Sequence, residues 1–230
     1  VNRSRATLLA LALVALLALL AGCGDDKDGS KPAAAATTEQ PQGPCEVAEA
    51  PGPKATTNLK KPKLRLDPSK TWTAIVTTNC GEFTITLDVE RAPKTAASFA
   101  SLAKKGFYDD LTFHRIAPEF VLQGGDPLGN GTGGPGYKVV EAPPKDLVYM
   151  HGSVAMAKTA TERDGTSGSQ FFVMLSDDTG LPPQYALVGQ VTEGLDVIDQ
   201  IATVELESTD PQGSAPLDPV VIESVEVAGS

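Results

Sequence analysis

Arg115 and Gln123 are the two side chains in this chain whose types and spacing could hold and polarise an amide. A guanidinium offers only hydrogen-bond donors, set in a rigid planar fork, while a glutamine amide both donates and accepts. Phe113, Phe120, Phe171 and Phe172 stand in the same short blocks, so the charged fork has rings near it that could wall an apolar-polar cleft. A lone arginine on a strand is usually a solvated side chain, and it is this company that sets Arg115 apart. Gln170 precedes the Phe171-Phe172 pair and adds a second amide. Such a set suits gripping a peptide and turning it. Cutting one would need a nucleophile beside a base, and the sequence has no Gly-x-Ser-x-Gly elbow.

Other chemistries fall away on the same grounds. His114 and His151 are the only histidines, and Cys80 is the only cysteine in the patterned part of the chain, too few for a zinc ligand set. No metal and no cofactor is expected. The run Gly129-Asn130-Gly131-Thr132-Gly133-Gly134 places glycines as a dinucleotide-binding loop would, but Pro135-Gly136-Tyr137 follows without a helical period. A phosphate site of that kind needs a helix N-terminus aimed at it, so the run reads as a turn-rich loop.

The elements that must position these residues begin at Trp72. Residues 72–76 and 83–87 alternate apolar and polar side chains about a reversal at Asn79-Cys80-Gly81, the pattern of a hairpin with one buried face. Pro93 opens a helical stretch with Ala96, Phe99, Ala100 and Ala103 at helical spacing, ending at Gly106. Leu195, Ile198 and Ile201 mark a second helix. Short strand-like segments punctuated by glycine occupy 113–116, 120–123, 152–157, 170–175, 186–190 and 220–227. With the hairpin this makes about eight strands and two helices, without repeats or β-α alternation. A closed antiparallel barrel removes exposed strand edges and fits these counts, but periodicity leaves a sandwich equally open.

The N-terminal third is different. Arg3 and Arg5 precede an apolar run over 8–20, too short to span a bilayer and laid out like an export signal. It ends in Leu20-Ala21-Gly22-Cys23, which resembles the lipobox of bacterial lipoproteins, implying a signal peptide over 1–22 and lipid on Cys23. Residues 23–70 are rich in Pro, Ala, Lys and Thr with no apolar period and read as a flexible tether carrying the folded domain, 71–230. Cys45 and Cys80 are the remaining cysteines, and in an exported chain they are candidates to pair. The formal charge is -10, and removing Arg3 and Arg5 with the signal takes it to -10 - 2 = -12. Nucleic acid is excluded as a partner on that charge.

Four blocks in fixed order, Phe113-His114-Arg115-Ile116, Phe120-Val121-Leu122-Gln123-Gly124-Gly125-Asp126, Gly131-Thr132-Gly133-Gly134 and Gly168-Ser169-Gln170-Phe171-Phe172, together resemble the cyclophilin family of peptidyl-prolyl isomerases. The resemblance runs over 71–228. It implies a mainly β fold, an eight-stranded antiparallel barrel capped by two α-helices, and so chooses between barrel and sandwich. It also implies that Arg115 is the principal catalytic residue and that Gln123 holds the substrate backbone. By the same resemblance Phe120, Val121, Phe172 and Leu181 form a pocket for the proline ring, the main chain at Ala157 and Lys158 pairs with the peptide, and Gln170 takes the neighbouring polar position. The chain departs from the family pattern where Val121 replaces a frequent methionine, Tyr185 falls near a frequent histidine, and Gly180 stands about where many relatives carry tryptophan.

The expected protein is thus a monomeric prolyl isomerase, lipid-anchored at the extracytoplasmic face of a membrane, acting without cofactor on proline-containing, exported or partly folded polypeptides. A binding module of the same fold with little turnover is the other reading. An anchored solute receptor fits less well, because the chain lacks a two-lobed layout.

Overall fold

The computed structural model describes residues 44–55, 58–177 and 179–230. Cys23, the signal segment and the first part of the expected tether lie outside the described residues.

The first hairpin is β1 (Trp72–Thr78) and β2 (Gly81–Leu87), followed by helix α1 (Pro93–Ala103). Then come β3 (Leu111–Thr112), β4 (Arg115–Ala117), β5 (Val121–Gly124), β6 (Val139–Val140), β7 (Ser153–Met156), β8 (Thr166–Ser167) and β9 (Phe171–Met174). The chain ends with β10 (Leu187–Glu193), helix α2 (Leu195–Ile201) and β11 (Val221–Gly229). All eight segments expected as strands are present, together with three two-residue strands, β3, β6 and β8, too short to leave a period in the sequence.

Nine strands form one antiparallel sheet in the order β3-β11-β1-β2-β10-β7-β9-β5-β4, and β6 pairs with β8 apart from it. The two ends of that order, β3 and β4, are separated in the chain only by Phe113 and His114. A sheet whose edge strands are joined by so short a link must curl until those edges meet. The barrel expected from the resemblance is therefore a curled antiparallel sheet whose ends are drawn together at Phe113-His114.

Its interior holds the main core. Phe171 meets Phe99, Tyr108 and Phe113 edge-on, with ring centroids 5.5, 5.6 and 5.9 Å apart. Such edge contacts are the favoured geometry for aromatic pairs. Helix α1 is buried from Thr95 to Ala103. The alanines at 96, 97, 100 and 103 let it sink against the sheet, and Pro93 at its first turn costs no backbone bond.

The described residues between 44 and 67 contain no helix or strand but lie along the body. Cys45 and Cys80 form a disulfide. Glu46 N donates to Asn79 O at 2.8 Å, Lys54 N to Pro127 O at 2.8 Å and Leu59 N to Pro135 O at 2.9 Å, while Leu66 is buried in the main core. The described half of the segment expected as a flexible tether is thus pinned to the domain by the Cys45–Cys80 bridge and scattered apolar anchors.

Candidate functional site

Strands β4, β5, β9 and β7 lie side by side. Their registers set Arg115 opposite Gln123, Gln123 opposite Phe172, and Phe172 opposite Ala155. Successive residues of a strand face opposite ways. Ile116, Leu122, Val154, Met156, Phe171 and Val173 accordingly enter the main core. Ala117, Val121, Ala155, Phe172 and Met174 gather on the other face in a second apolar cluster with Tyr149, rimmed by half-buried Phe120, Leu147, Ala157, Leu181 and Tyr185. This second cluster is the apolar slot, and Arg115 and Gln123 stand on the same strand faces as its floor.

A directed chain of hydrogen bonds fixes the polar side. Arg115 Nη1 donates to Gln123 Oε1 at 2.9 Å, Gln123 Nε2 donates to Gln170 Oε1 at 3.1 Å, and Gln170 Nε2 donates to the carbonyls of Gly131 and Gly133, each at 3.0 Å. Because a guanidinium can only donate, Gln123 must turn its oxygen to Arg115, and each later amide is oriented in turn. The glycine loop that ends the relay is held by Asp126, which is buried and accepts from the backbone N–H of Leu128, Asn130 and Gly131 at 2.9, 3.0 and 2.5 Å. Arg115 is half-buried, and desolvation draws its pKa below the ordinary arginine value, opposed by nearby Tyr185 and Asp210. It remains a cation under any physiological condition.

The rim is equally ordered. Tyr149 Oη donates to Tyr185 O at 2.6 Å and accepts from Tyr185 N at 3.1 Å, and burial pushes the Tyr149 phenol up to about 12. The Tyr185 ring stands edge-on to Phe172 at 5.4 Å, with Lys158 Nζ 5.4 Å from its centroid. Beside the slot a cavity of about 380 Å3 is lined by Gln123, Gln170, Ala157, Lys158 and the glycine loop. Larger hollows of about 530 and 890 Å3 lie elsewhere, and neither is bordered by Arg115, Gln123 or Phe172.

The structure brings Arg115, Gln123, Phe120, Val121, Gln170, Phe172, Leu181, Tyr185, Ala157 and Lys158 to this one region. Two aromatic walls expected from sequence are not there. Phe113 and Phe171 are fully buried in the main core, because strand alternation separates Phe171 from Phe172. Ala157 N already donates to Gln170 O at 2.9 Å, so of that residue's main chain only the carbonyl is left for a ligand. Sequence reasoning missed Ala117, Ala155, Met174 and Tyr149 in the slot, and Gln212, whose carbonyl accepts from Arg115 Nε at 2.7 Å.

A curled antiparallel sheet that sets a braced guanidinium beside an apolar slot defines a peptide-binding fold equipped to act on a backbone amide. Residues 73–227 match the family described as cyclophilin type peptidyl-prolyl cis-trans isomerase/CLD, and the chain belongs to that family. A peptidyl-prolyl cis-trans isomerase of Helicobacter pylori is 40% identical over 136 residues, covering 58% of this chain and 82% of the relative. Peptidyl-prolyl cis-trans isomerase B of Streptomyces anulatus is 38% identical over 172 residues, covering 67% and 95%. Among solved structures, a cyclophilin type isomerase of Cryptosporidium parvum, crystallised in the presence of the dipeptide Ala-Pro, superposes with a TM-score of 0.62 at 26% identity, covering 69% of this chain and 99% of that one. The chain is accordingly a prolyl isomerase of the cyclophilin type.

Proposed function

We propose that Arg115 is the catalytic donor and that the slot around Phe172 seats the proline ring of an exported polypeptide, with the protein held at the outer face of a membrane by lipid on Cys23. The observation that carries the catalytic part is the anchored guanidinium, tied at Nη1 to Gln123 on the strand that also supplies Val121 to the slot.

Rotation about an X-Pro bond faces a barrier of about 18–20 kcal/mol and breaks no covalent bond. In the planar ground state the prolyl nitrogen shares its lone pair with the carbonyl and accepts a hydrogen bond poorly. In the twisted transition state the lone pair is localised. A donor aimed at that nitrogen binds the transition state better than either isomer, which is the condition for acceleration. A charge-assisted bond contributes about 1.5–3 kcal/mol, whereas a hundred-thousandfold rate gain needs about 7 kcal/mol. The difference falls to the slot, which fixes the ring, and to the amides of Gln123 and Gln170 and the Ala157 carbonyl, which fix the chain on one side of the bond while the other side turns.

Exchange between cis and trans isomers of an Ala-Pro peptide, followed by NMR, tests this directly. Arg115→Ala is expected to lower catalytic efficiency at least about tenfold with the fold retained. Unchanged turnover would remove Arg115 from the role, and peptide binding without accelerated exchange in the wild type would favour a pure binding module. The anchor rests on the small residues before Cys23 and the apolar run ahead of them. Cys23→Ala is expected to move the protein from the membrane fraction to the soluble one, and continued retention counts against lipidation at that site.

A further inference from the structure

The link from α2 to β11 contains an excursion that reaches the catalytic arginine. Its base is closed by its own short ladder, with Leu217 N donating to Glu205 O at 2.8 Å and Glu207 N to Ala215 O at 2.9 Å. Its far side is fastened to β4, where Ile116 N donates to Ser214 O at 2.8 Å and Ser214 N returns to Ile116 O at 3.0 Å. Between these clips runs the tip Asp210-Pro211-Gln212-Gly213, and here Gln212 O accepts from Arg115 Nε at 2.7 Å.

The tip is shaped so that this carbonyl has one place to be. Asp210 Oδ1 accepts from Gln212 N at 2.8 Å, and Asp210 O accepts from Gly213 N at 2.9 Å, making a tight turn around Gln212. Gly213 has a φ of +97°, and a Cβ on it would stand 2.7 Å from Ile116 O and 2.9 Å from Ala117 Cβ. Only glycine lets the tip lie this close to β4.

We infer that the 207–215 excursion is the positioning element of the catalytic guanidinium, with Asp210 and Gly213 as positioning residues that act through the Gln212 carbonyl. The inference rests on the assignment of Arg115 as the donor. A planar fork held at one nitrogen can still swing about that bond. Held at two, by Gln212 at Nε and Gln123 at Nη1, its plane is fixed, and the remaining Nη protons present themselves to the slot in one orientation. Orientation of this kind matters for rate because misplacement of a reacting group by about 1 Å costs on the order of a hundredfold. Asp210 closes the turn through its Oδ1 and also attracts Arg115 by its charge, and the Asn variant separates the two effects.

The test compares Asp210→Ala, Asp210→Asn and Gly213→Ala with Arg115→Ala in the full chain, reading kcat and KM for an Ala-Pro peptide and the Arg115 Nε–Hε resonance by NMR. Asp210→Ala is expected to lower kcat on the order of tenfold with KM nearly unchanged, because the slot is untouched, and Gly213→Ala to lower kcat similarly with a rise in KM as well, because its added Cβ presses on Ala117 of the slot; both are expected to shift or broaden the resonance. Asp210→Asn keeps the turn acceptor without the charge and is expected to restore both readouts to within about threefold of wild type. If Gly213→Ala fails to fold, the exposed Asp210 pair decides alone. Loss of turnover in Arg115→Ala alongside wild-type turnover in the loop variants overturns this inference and leaves the role of Arg115 standing. An Asn variant as slow as the Ala variant overturns the positioning role in favour of charge. Wild-type turnover in Arg115→Ala defeats the assignment of the donor first, and the loop's role falls with it.

Discussion

His114, next to Arg115, carries the least satisfied side chain among the described residues. Both ring nitrogens are shielded from solvent without a hydrogen-bond partner, the backbone of Thr112 coming near without completing one. A neutral imidazole there wastes one donor and one acceptor, and a charged one would waste two donors. Burial depresses its pKa, Asp126 and the Thr112 backbone oppose that, and the Arg115 charge adds to it. The folded protein therefore takes up this proton less readily than the unfolded chain does. Above the unfolded value of about 6.5 the residue contributes no pH dependence. As pH falls through that value the unfolded chain gains a proton first and stability declines, levelling off below the folded pKa. Urea midpoints at pH 7.5 and 5.5 should show a fall in wild type that His114→Phe reduces, with His151 common to both proteins. An equal fall in the variant would place the titration elsewhere.

Among the elements, what could be read from the chain depended on whether one face of a strand stayed wet. The β1–β2 hairpin shows its period because Thr77 and Glu82 remain outside while Val76 and Phe83 are buried. Strands β7 and β9 are buried at every residue, since the slot covers the face the core does not, and a run such as Phe171-Phe172-Val173-Met174 carries no alternation to say which ring goes where. That Arg115 and Gln123 stand in neighbouring strand segments was legible, but that they face one another was not, because the register follows from a turn over Pro118, Glu119 and Phe120 that sets Ala117 opposite Val121. Gln212 was not legible, because nothing local ties a loop carbonyl to an arginine 97 residues away. The start of α1 was legible from Pro93, but its cap was hidden for a similar reason. Ala92 gives no side-chain cap, and Glu141 supplies it from afar, accepting from Lys94 N at 3.1 Å, Thr95 N at 2.7 Å and Thr95 Oγ1 at 2.8 Å. A carboxylate at a helix N-terminus satisfies orphan donors and suits the helix dipole, whichever part of the chain delivers it.

At the scale of the whole molecule, the described residues between Pro44 and Leu66 extend the folded body beyond β1. The Cys45–Cys80 disulfide, with a sequence separation of 35, fastens this segment to the turn between β1 and β2. Asn79 Nδ2 donates to Glu46 O at 2.7 Å and to Pro219 O at 3.1 Å, and so ties the segment, the hairpin turn and the start of β11 together. Closing a loop of this length stabilises by roughly 3–4 kcal/mol through the unfolded chain. The Cys45→Ser/Cys80→Ser double variant should lose about that much, read as a lower urea midpoint. It should also open the segment to faster tryptic cleavage at Lys60, Lys63 and Arg65, because only backbone bonds and the neighbouring Leu59 and Leu66 would then hold it. Isomerase activity below the unfolding transition should be unchanged, since the bridge joins the segment before β1 to the β1–β2 turn whereas the arginine and the slot belong to β4, β5, β7 and β9. A variant with wild-type midpoint and cleavage pattern would show that backbone bonds and the two leucines suffice to dock the segment. One that lost activity while folded would show that the hairpin turn and the slot communicate through the shared sheet.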